Sequence, residues 1–419
     1  MRQAYQALPV YTGDISGVCS ALFELGGMVV IHDPSGCNST YNTHDEIRWY
    51  DQDSLIFISG LTECDAALGN DERLVRDVVE AADQTHPRFI VLVSSPIPFQ
   101  IGTDLAAVAR LVEARSGVPT RCVPTNGMHD YVRGAGLALQ LVAGQVMAPL
   151  GADADVRPSV NVLGMTPLDF AAEGTRESLV GWLEGAGFRL QSCWAMGDTL
   201  DTILAAARAD ANLVVSATGM RAARVLERRL GIPYVVGFPV GTFAGRLERA
   251  LRDALRDGRS RLAYQDVRRA TVGERRVEDC VPLIGEPVSM GSIAASLELV
   301  RVPTRLVTPL EDTHDLLEPS LWDVCAPGEE RLRQALAQAT LMVGDPFLSA
   351  VCPQGARFCD LPHLALSGRQ WLHEIPDVAR LDPLELLGGS RLVGSATLVD
   401  LEMASRRGRS HGHERHALG

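Results

Sequence analysis

Lysine is absent from this chain: all 39 basic side chains are arginine. A P-loop needs lysine on its phosphates, and Schiff-base or pyridoxal chemistry needs a lysine amine, so neither is available in the usual form. Any nucleotide hydrolysis falls to another polypeptide. No apolar run reaches the roughly 18 residues of a membrane span, and the opening MRQAYQALPVYTGD lacks both a basic and an apolar leader region. Neither membrane insertion nor export is expected, and the expected compartment is cytoplasmic. Basic charge is also short, with 39 basic against 52 acidic residues and a net charge of −13. That balance argues against a phosphate-binding surface, so nucleic acid is not an expected partner. No Gly-x-Gly-x-x-Gly follows any strand, which leaves a dinucleotide site unsupported. Aromatic residues are sparse at 5%, but a 46% hydrophobic content is enough for large buried cores.

At roughly 150 residues per domain, 419 residues predict two or three domains. Apolar runs alternate with amphipathic stretches, which predicts α/β architecture built of doubly wound layers. The strands GGMVVIH, SLIFISG, RFIVLVSS and TRCVP, with a closing helix over 132–148, define a first domain over residues 1–150. The stretch 149–159, rich in Pro, Gly and Asp, reads as a linker. A second domain over 158–260 opens with VNVLGM and includes RLQSCWAM and NLVVSA. A polar, arginine-rich bridge then leads to a third domain over 278–405, starting at VPLIGEP, and residues 406–419 are expected to be a disordered tail.

Nine cysteines are more than disulfides would explain inside a cell, which points to buried or metal-bound thiols. Cys19 follows Gly17 and is expected near the N-terminus of a helix starting at about Ser20, where a thiolate is favoured. Cys37, in HDPSGC, follows the strand MVVIH at the carboxyl end of a parallel strand, where ligands bind in open α/β sheets. Thiolates hold iron–sulfur clusters, and neighbouring glycines let the backbone approach the sulfides. Inert burial of each thiol is the competing reading. Cys352 and Cys359 have neither zinc-finger nor ferredoxin spacing and are expected to be structural.

The segment from Ile31 to Leu74 resembles the opening domain of component 1 subunits of nitrogenase and nitrogenase-like reductases. The features that match are Gly36 and Cys37 in the turn, then Thr62, Glu63, Gly69 and Asp71. VSSPIPFQIGTDLAAVAR is similar to that family's Cys-Pro-x-x-x-Ile-Gly-Asp-Asp segment. The likeness continues through GFRLQSCWAMGDTLDTI, NLVVSATGMRAARVLERRLGIPYV and VPLIGEPVSMGSIAASLEL. It implies three Rossmann-like domains, with Cys19 and Cys37 matching the first two ligands of an iron–sulfur cluster at a subunit junction, P-cluster-like 8Fe-7S or 4Fe-4S.

Two departures qualify the likeness. The family's third cysteine falls near Ser95, so either Ser95 supplies an alkoxide, or Cys64 replaces the thiolate, or the cluster is smaller and leans on the partner; Cys64 ranks ahead of Ser95. The cysteine that binds the active-site cofactor in alpha subunits corresponds to Ser216. The chain therefore resembles a beta-type partner, or a homodimeric relative binding free substrate. The implied partners are a homologous alpha-type component 1 subunit and an ATP-hydrolysing iron protein, in a heterotetramer. The implied activity is electron transfer within an oxidoreductase, with a methylthio-alkane reductase as the branch of closest fit. Dinitrogen- or tetrapyrrole-reducing relatives and a non-catalytic metal-cluster assembly scaffold are the alternatives, as is a doubly wound enzyme without a cluster that binds a small anion. His32, Asp33, His44, Asp45 and Glu46 surround Cys37 and form either a proton shuttle or a polar partner-facing loop. Trp49 and Tyr50 are candidate interface anchors. The turn Gly285–Ser289 reads as a ligand turn or as a helix start.

Overall fold

The computed structural model describes residues 6–8, 11–34, 46–148, 157–271, 273 and 275–393. The first sheet contains β1 (Met28–His32), β2 (Leu55–Ile58), β3 (Ile90–Ser94) and β4 (Thr120–Val123), all parallel and ordered β2-β1-β3-β4. These strands are continuous apolar runs because helices cover both faces of the sheet. Alternate residues of β1 serve the two faces: Met28 and Val30 join one buried cluster, while Val29 and Ile31 join the other.

On one face lie α1 (Asp14–Leu22) and, after the short α2 (Glu63–Leu68), α3 (Asp71–Thr85), α4 (Pro96–Ile101) and α5 (Leu105–Ser116), comes α6 (Tyr131–Ala143) beside α1. The opposite face is covered by α3, through Leu74, Val75 and Val78, and by α5, through Val108 and Val112. Helix α1 is buried along its whole length. It crosses α6 so closely that a Cβ on Gly134 would collide with the Asp14 carbonyl, and one on Gly17 with the Tyr131 carbonyl.

The second sheet contains β5 (Ser159–Leu163), β6 (Arg189–Cys193), β7 (Ala211–Val214), β8 (Tyr234–Val236) and β9 (Arg261–Leu262), in the order β6-β5-β7-β8-β9. Its helices are α7 (Thr175–Gly185), α8 (Leu200–Leu204), α9 (Met220–Leu230), α10 (Ala244–Asp257) and α11 (Ala263–Thr271). The third sheet runs β12 (Val324–Cys325), β11 (Thr304–Thr308), β10 (Val281–Ile284), β13 (Leu341–Gly344), β14 (Arg357–Asp360) and β15 (Arg391–Leu392), with only β15 antiparallel. Helix α12 (Pro287–Leu299) follows β10 and is buried from Pro287 to Glu298. Among the described residues no helix is long and apolar enough to cross a membrane.

Three local expectations are corrected. Helix α1 begins at Asp14 rather than near Ser20, because the Asp14 carboxylate accepts the Asn126 and Gly127 amides and anchors the helix start there. Cys19 is therefore interior to the helix and receives no N-terminal dipole. The arginine-rich stretch expected as a bridge holds β9 and α11. Two of its guanidiniums are buried in ion pairs: Arg275 donates to Glu298 at 3.1 Å, and Arg268, fully buried, donates to both carboxylate oxygens of Asp323 at 2.8 Å and to Glu298 at 3.2 Å. The closing helix of the first unit ends at Ala143, with Gly144 as its cap, not at residue 148. The tail 406–419, the end of the third unit beyond residue 393 and most of the 149–159 linker lie outside the described residues.

Helix propensity alone would make Gly134→Ala stabilising by about 1 kcal/mol. The backbone collision reverses that sign, so the variant is expected to be less stable by about 2 kcal/mol, read as a lower urea midpoint. An unchanged or higher midpoint would mean that α1 and α6 do not cross at these glycines.

Candidate functional site

Two sites arise at the carboxyl ends of the parallel strands. The first lies where β1 leaves the first sheet. His32 pairs with Ser94 across β1 and β3, and its Nδ1 is 2.8 Å from Ser59 Oγ. Burial holds the His32 imidazole below its ordinary pKa. The Ser59 and Leu61 amides donate to Ile31 and Asp33, which stitches the β2 exit to the β1 exit. Residues 35–45, with Gly36, Cys37, His44 and Asp45, lie outside the described set.

The chain returns at Glu46, where Arg48 fixes the far end of that segment. The buried Arg48 guanidinium donates to Glu46 at 2.7 and 2.8 Å, to Glu24 at 2.7 Å, and to the Ser20 and Ala195 carbonyls at 2.8 Å each. Burial works to lower its pKa, but Glu46 and Glu24 outweigh burial and leave it raised. Glu46 is thus an internal ion-pair partner. Trp49 packs edge-on against Phe23 within the chain.

Ser95 follows β3 directly. It is fully buried, its amide donates to the His32 carbonyl at 3.2 Å, and its hydroxyl has no hydrogen-bond partner among the described residues. Cys64 leaves on the other side of β1, in α2, and is exposed. In that short helix the Thr62 hydroxyl accepts the Asp65 amide, while Asp65 receives Thr62, Asn70 and Arg73 and is held below its usual pKa, first by the Thr62 hydroxyl. Gly69 caps α2 in the left-handed region and α3 then starts at Asp71. Cys19 is fully buried.

Ser95 therefore follows the strand that neighbours β1, whereas Cys64 is exposed on the far side of β1. Among the described residues no three His, Cys, Asp or Glu side chains converge as a metal-holding group. The same edge carries exposed apolar side chains on α2, on α4 and in the loop after β4: Leu68 (76% exposed), Ile97 (42%), Phe99 (53%), Ile101 (48%) and Met128 (39%). They follow strands on both sides of β1, and exposed apolar side chains grouped at one sheet edge favour an interaction surface.

The second site is closed. Asp169, after β5, accepts the Tyr131 hydroxyl at 2.5 Å, the Ser216 hydroxyl at 2.5 Å and the Thr166 hydroxyl at 3.0 Å. His363, after β14, places Nε2 3.3 Å from Asp169 without hydrogen-bond alignment. Glu286, the residue after Gly285 at the end of β10, caps α12 by accepting the Val288 and Ser289 amides and also accepts the Ala217 amide at 2.9 Å. The turn Gly285–Ser289 is thus a helix start whose cap also reaches the second unit. Asp345, after β13, accepts the His363 and Phe347 amides.

Burial, reinforced by the charge of Asp169, pushes Glu286 up to about 7; burial pushes Asp345 up to about 6. Burial opposes protonation of His363, but the Asp169 carboxylate overcomes it and its pKa is raised. Ser216, singled out in sequence, belongs to this network; Tyr131, Asp169, Asp345 and His363 were missed. The available signal was an acid or histidine within a few residues of several strand ends, including the paired turns Gly285-Glu286-Pro287 and Gly344-Asp345-Pro346. Cys352 and Cys359 are buried in the third unit, their thiols pushed up to about 12 and about 11 by burial. Neutral buried thiols fit a structural role.

A family model described as nitrogenase component 1 type oxidoreductase matches residues 16–269. The nitrogenase iron-molybdenum cofactor biosynthesis protein NifE of Bradyrhizobium diazoefficiens is 25% identical over 50% of this chain and 38% of its own length. NifE of Klebsiella pneumoniae is 26% identical over 58% of this chain and 54% of its own. The nitrogenase molybdenum-iron protein alpha chain of Clostridium pasteurianum is 26% identical over 43% of this chain and 33% of its own. The matches thus span about half or less of these relatives. A solved structure of nitrogenase Cp1 at pH 6.5 superposes with a TM-score of 0.63 at 14% identity, covering 100% of this chain and 98% of the other, a likeness of fold.

The raised groups set a pH dependence. Glu286 and His363 bind protons more tightly folded than unfolded, so their stabilisation is present at low pH and is lost as pH rises through their folded values. For Glu286 the window runs from about 4.5 to about 7 and is worth roughly 2–3 kcal/mol. Thermal unfolding from about pH 5 to 8 is expected to show a shallower loss of stability in Glu286→Gln than in the wild type. An identical slope would mean that Glu286 does not titrate in this window.

Proposed function

The chain belongs to the nitrogenase component 1 type oxidoreductase family, and from that membership we propose that it is the electron-relay subunit of a nitrogenase-like, ATP-dependent reductase. In this reading the chain pairs through the carboxyl edge of its first sheet with a homologous alpha-type subunit, and an iron protein hydrolyses ATP. The observation that carries it is the contrast between the two sites. The first edge carries exposed apolar side chains and a buried Ser95 hydroxyl that has no partner among the described residues. The second, which includes the position of the alpha-type cofactor cysteine, is filled by this chain's own hydrogen-bonded side chains. That favours a beta-type role, with the reduced substrate bound mainly in the partner.

In this reading an iron–sulfur cluster would be shared across a subunit seam at the first edge. Cys19 and Cys37 would supply thiolates. Ser95 gains support as the further ligand because its hydroxyl is buried and unpartnered, while an exposed Cys64 would need the partner's surface to become dry. When bound, such a cluster stores and passes single electrons, at a potential set by burial and hydrogen bonding. The chain's own contribution is to exclude water with α1 and the apolar rim, and to hold both ends of the Cys37 segment through Ser59 and Arg48. The substrate class favoured by the first-domain likeness is a methylthio-alkane, whose C–S bond would be reduced.

The NifE relatives favour a second reading, a scaffold on which a metal cluster is assembled. The two readings separate on turnover. The complex purified without oxygen, given ATP, an iron protein and a methylthio-alkane, is expected to cleave the C–S bond. No turnover, together with iron that transfers readily to an acceptor protein, would establish the scaffold reading instead.

Cys37→Ala is expected to remove most of the bound iron and visible absorption while leaving the circular dichroism unchanged. Ser95→Ala separates two roles for that hydroxyl. A buried unpaired hydroxyl costs about 1–3 kcal/mol, so a merely structural serine would give a more stable variant with unchanged iron. The ligand role predicts lower iron content or an altered paramagnetic resonance spectrum.

A further inference from the structure

A cavity of 260 Å³ opens where the three units meet at the surface, lined by Arg133 of α6, Arg221 and Arg224 of α9, and Asp312 and Asp315 from the loop after β11. We propose that it is a binding site for a small oxyanion, a phosphate or a compact polycarboxylate, now covered by the two aspartates. Three guanidiniums face two carboxylates, which leaves the cavity net positive in a chain of net charge −13.

The pairing is also unequal. Arg133 and Arg221 both donate to the same oxygen of Asp312, at 3.1 and 3.2 Å, while Arg224 has Asp315 at 2.8 Å. Arg133 Nε is buried without a partner. Asp312 itself is held at φ +54°, in the left-handed region that L side chains enter at a cost. A partly exposed ion pair is worth little, so displacing Asp312 costs little. An oxyanion presenting two or three oxygens would satisfy both guanidiniums with forked hydrogen bonds, which one shared carboxylate oxygen cannot.

The site is placed to matter. Ala217 lines the cavity, and its amide donates to Glu286 in the buried network. A ligand here would sit against Ser216's neighbour and would replace contacts from the third unit with its own. The proposal stands on this geometry and is independent of what the first sheet edge holds.

The test is calorimetric titration of the full chain, with any co-purifying partner, using inorganic phosphate in one arm and malonate in the other. Saturable binding of at least one is expected, and whichever binds identifies the phosphoryl or carboxylate chemistry. Arg221→Gln should weaken that binding by about tenfold or more. Asp312→Asn, which removes the competing carboxylate, should tighten it several-fold, and it decides the matter if Arg221→Gln does not fold. No saturable binding of either probe, equal affinity in Arg221→Gln, or weaker binding in Asp312→Asn would each overturn the proposal.

Discussion

The buried Asp169 carboxylate is the point on which the arrangement of the three sheets depends. It receives a hydroxyl from α6 of the first unit and hydroxyls from two turns of the second, and a histidine ring nitrogen from the third lies 3.3 Å away. Each of these partners is itself buried, so losing the carboxylate would strand several polar groups at once, at about 1–3 kcal/mol for each. Apolar packing holds each unit together, but it is non-directional. The directional bonds to Asp169 specify how strand ends from separate units face one another. Glu286 adds a second tie by capping α12 while accepting Ala217 from the neighbouring unit.

At the same point of the network Ser216 is bonded inward to Asp169. The space is occupied by hydroxyls bonded to Asp169 and by the His363 ring, and opening it would expose acids that burial has pushed towards neutrality. At the first sheet edge the balance is opposite. Ser95 is buried without a hydroxyl partner among the described residues, and apolar side chains of α2, α4 and the loop after β4 are exposed. A surface of that composition favours contact with another polypeptide, and the proposal of a cluster at a subunit seam follows from this asymmetry.

Much of the fold was legible because it is written in short-range patterns. The runs VVIH, IVLV and VNVL became central strands, flanked by helices whose apolar residues recur at helical spacing. The α/β class follows from that alternation. What escaped was either local chemistry or long-range contact. The start of α1 depends on Asp14 meeting amides more than a hundred residues away, so Ser20 looked like the better boundary. The arginine-rich stretch looked like solvated linker because Asp323 and Glu298, which pair with Arg268 and Arg275, are brought near only by folding. Tyr131, Asp169, Ser216 and His363 are scattered along the chain and meet only when the sheets are docked. The cysteine motif drew the eye to Cys19 and Cys37, but the unpartnered state of Ser95 is visible only in three dimensions.

Anomalous scattering at the iron absorption edge, from crystals of the complex grown without oxygen, tests the central claim most directly. The account predicts an iron peak at the carboxyl edge of the first sheet, on the seam between this chain and another, with none beside Ser216. Iron bound next to Ser216 and His363, with the first edge bare and open to solvent, would contradict it.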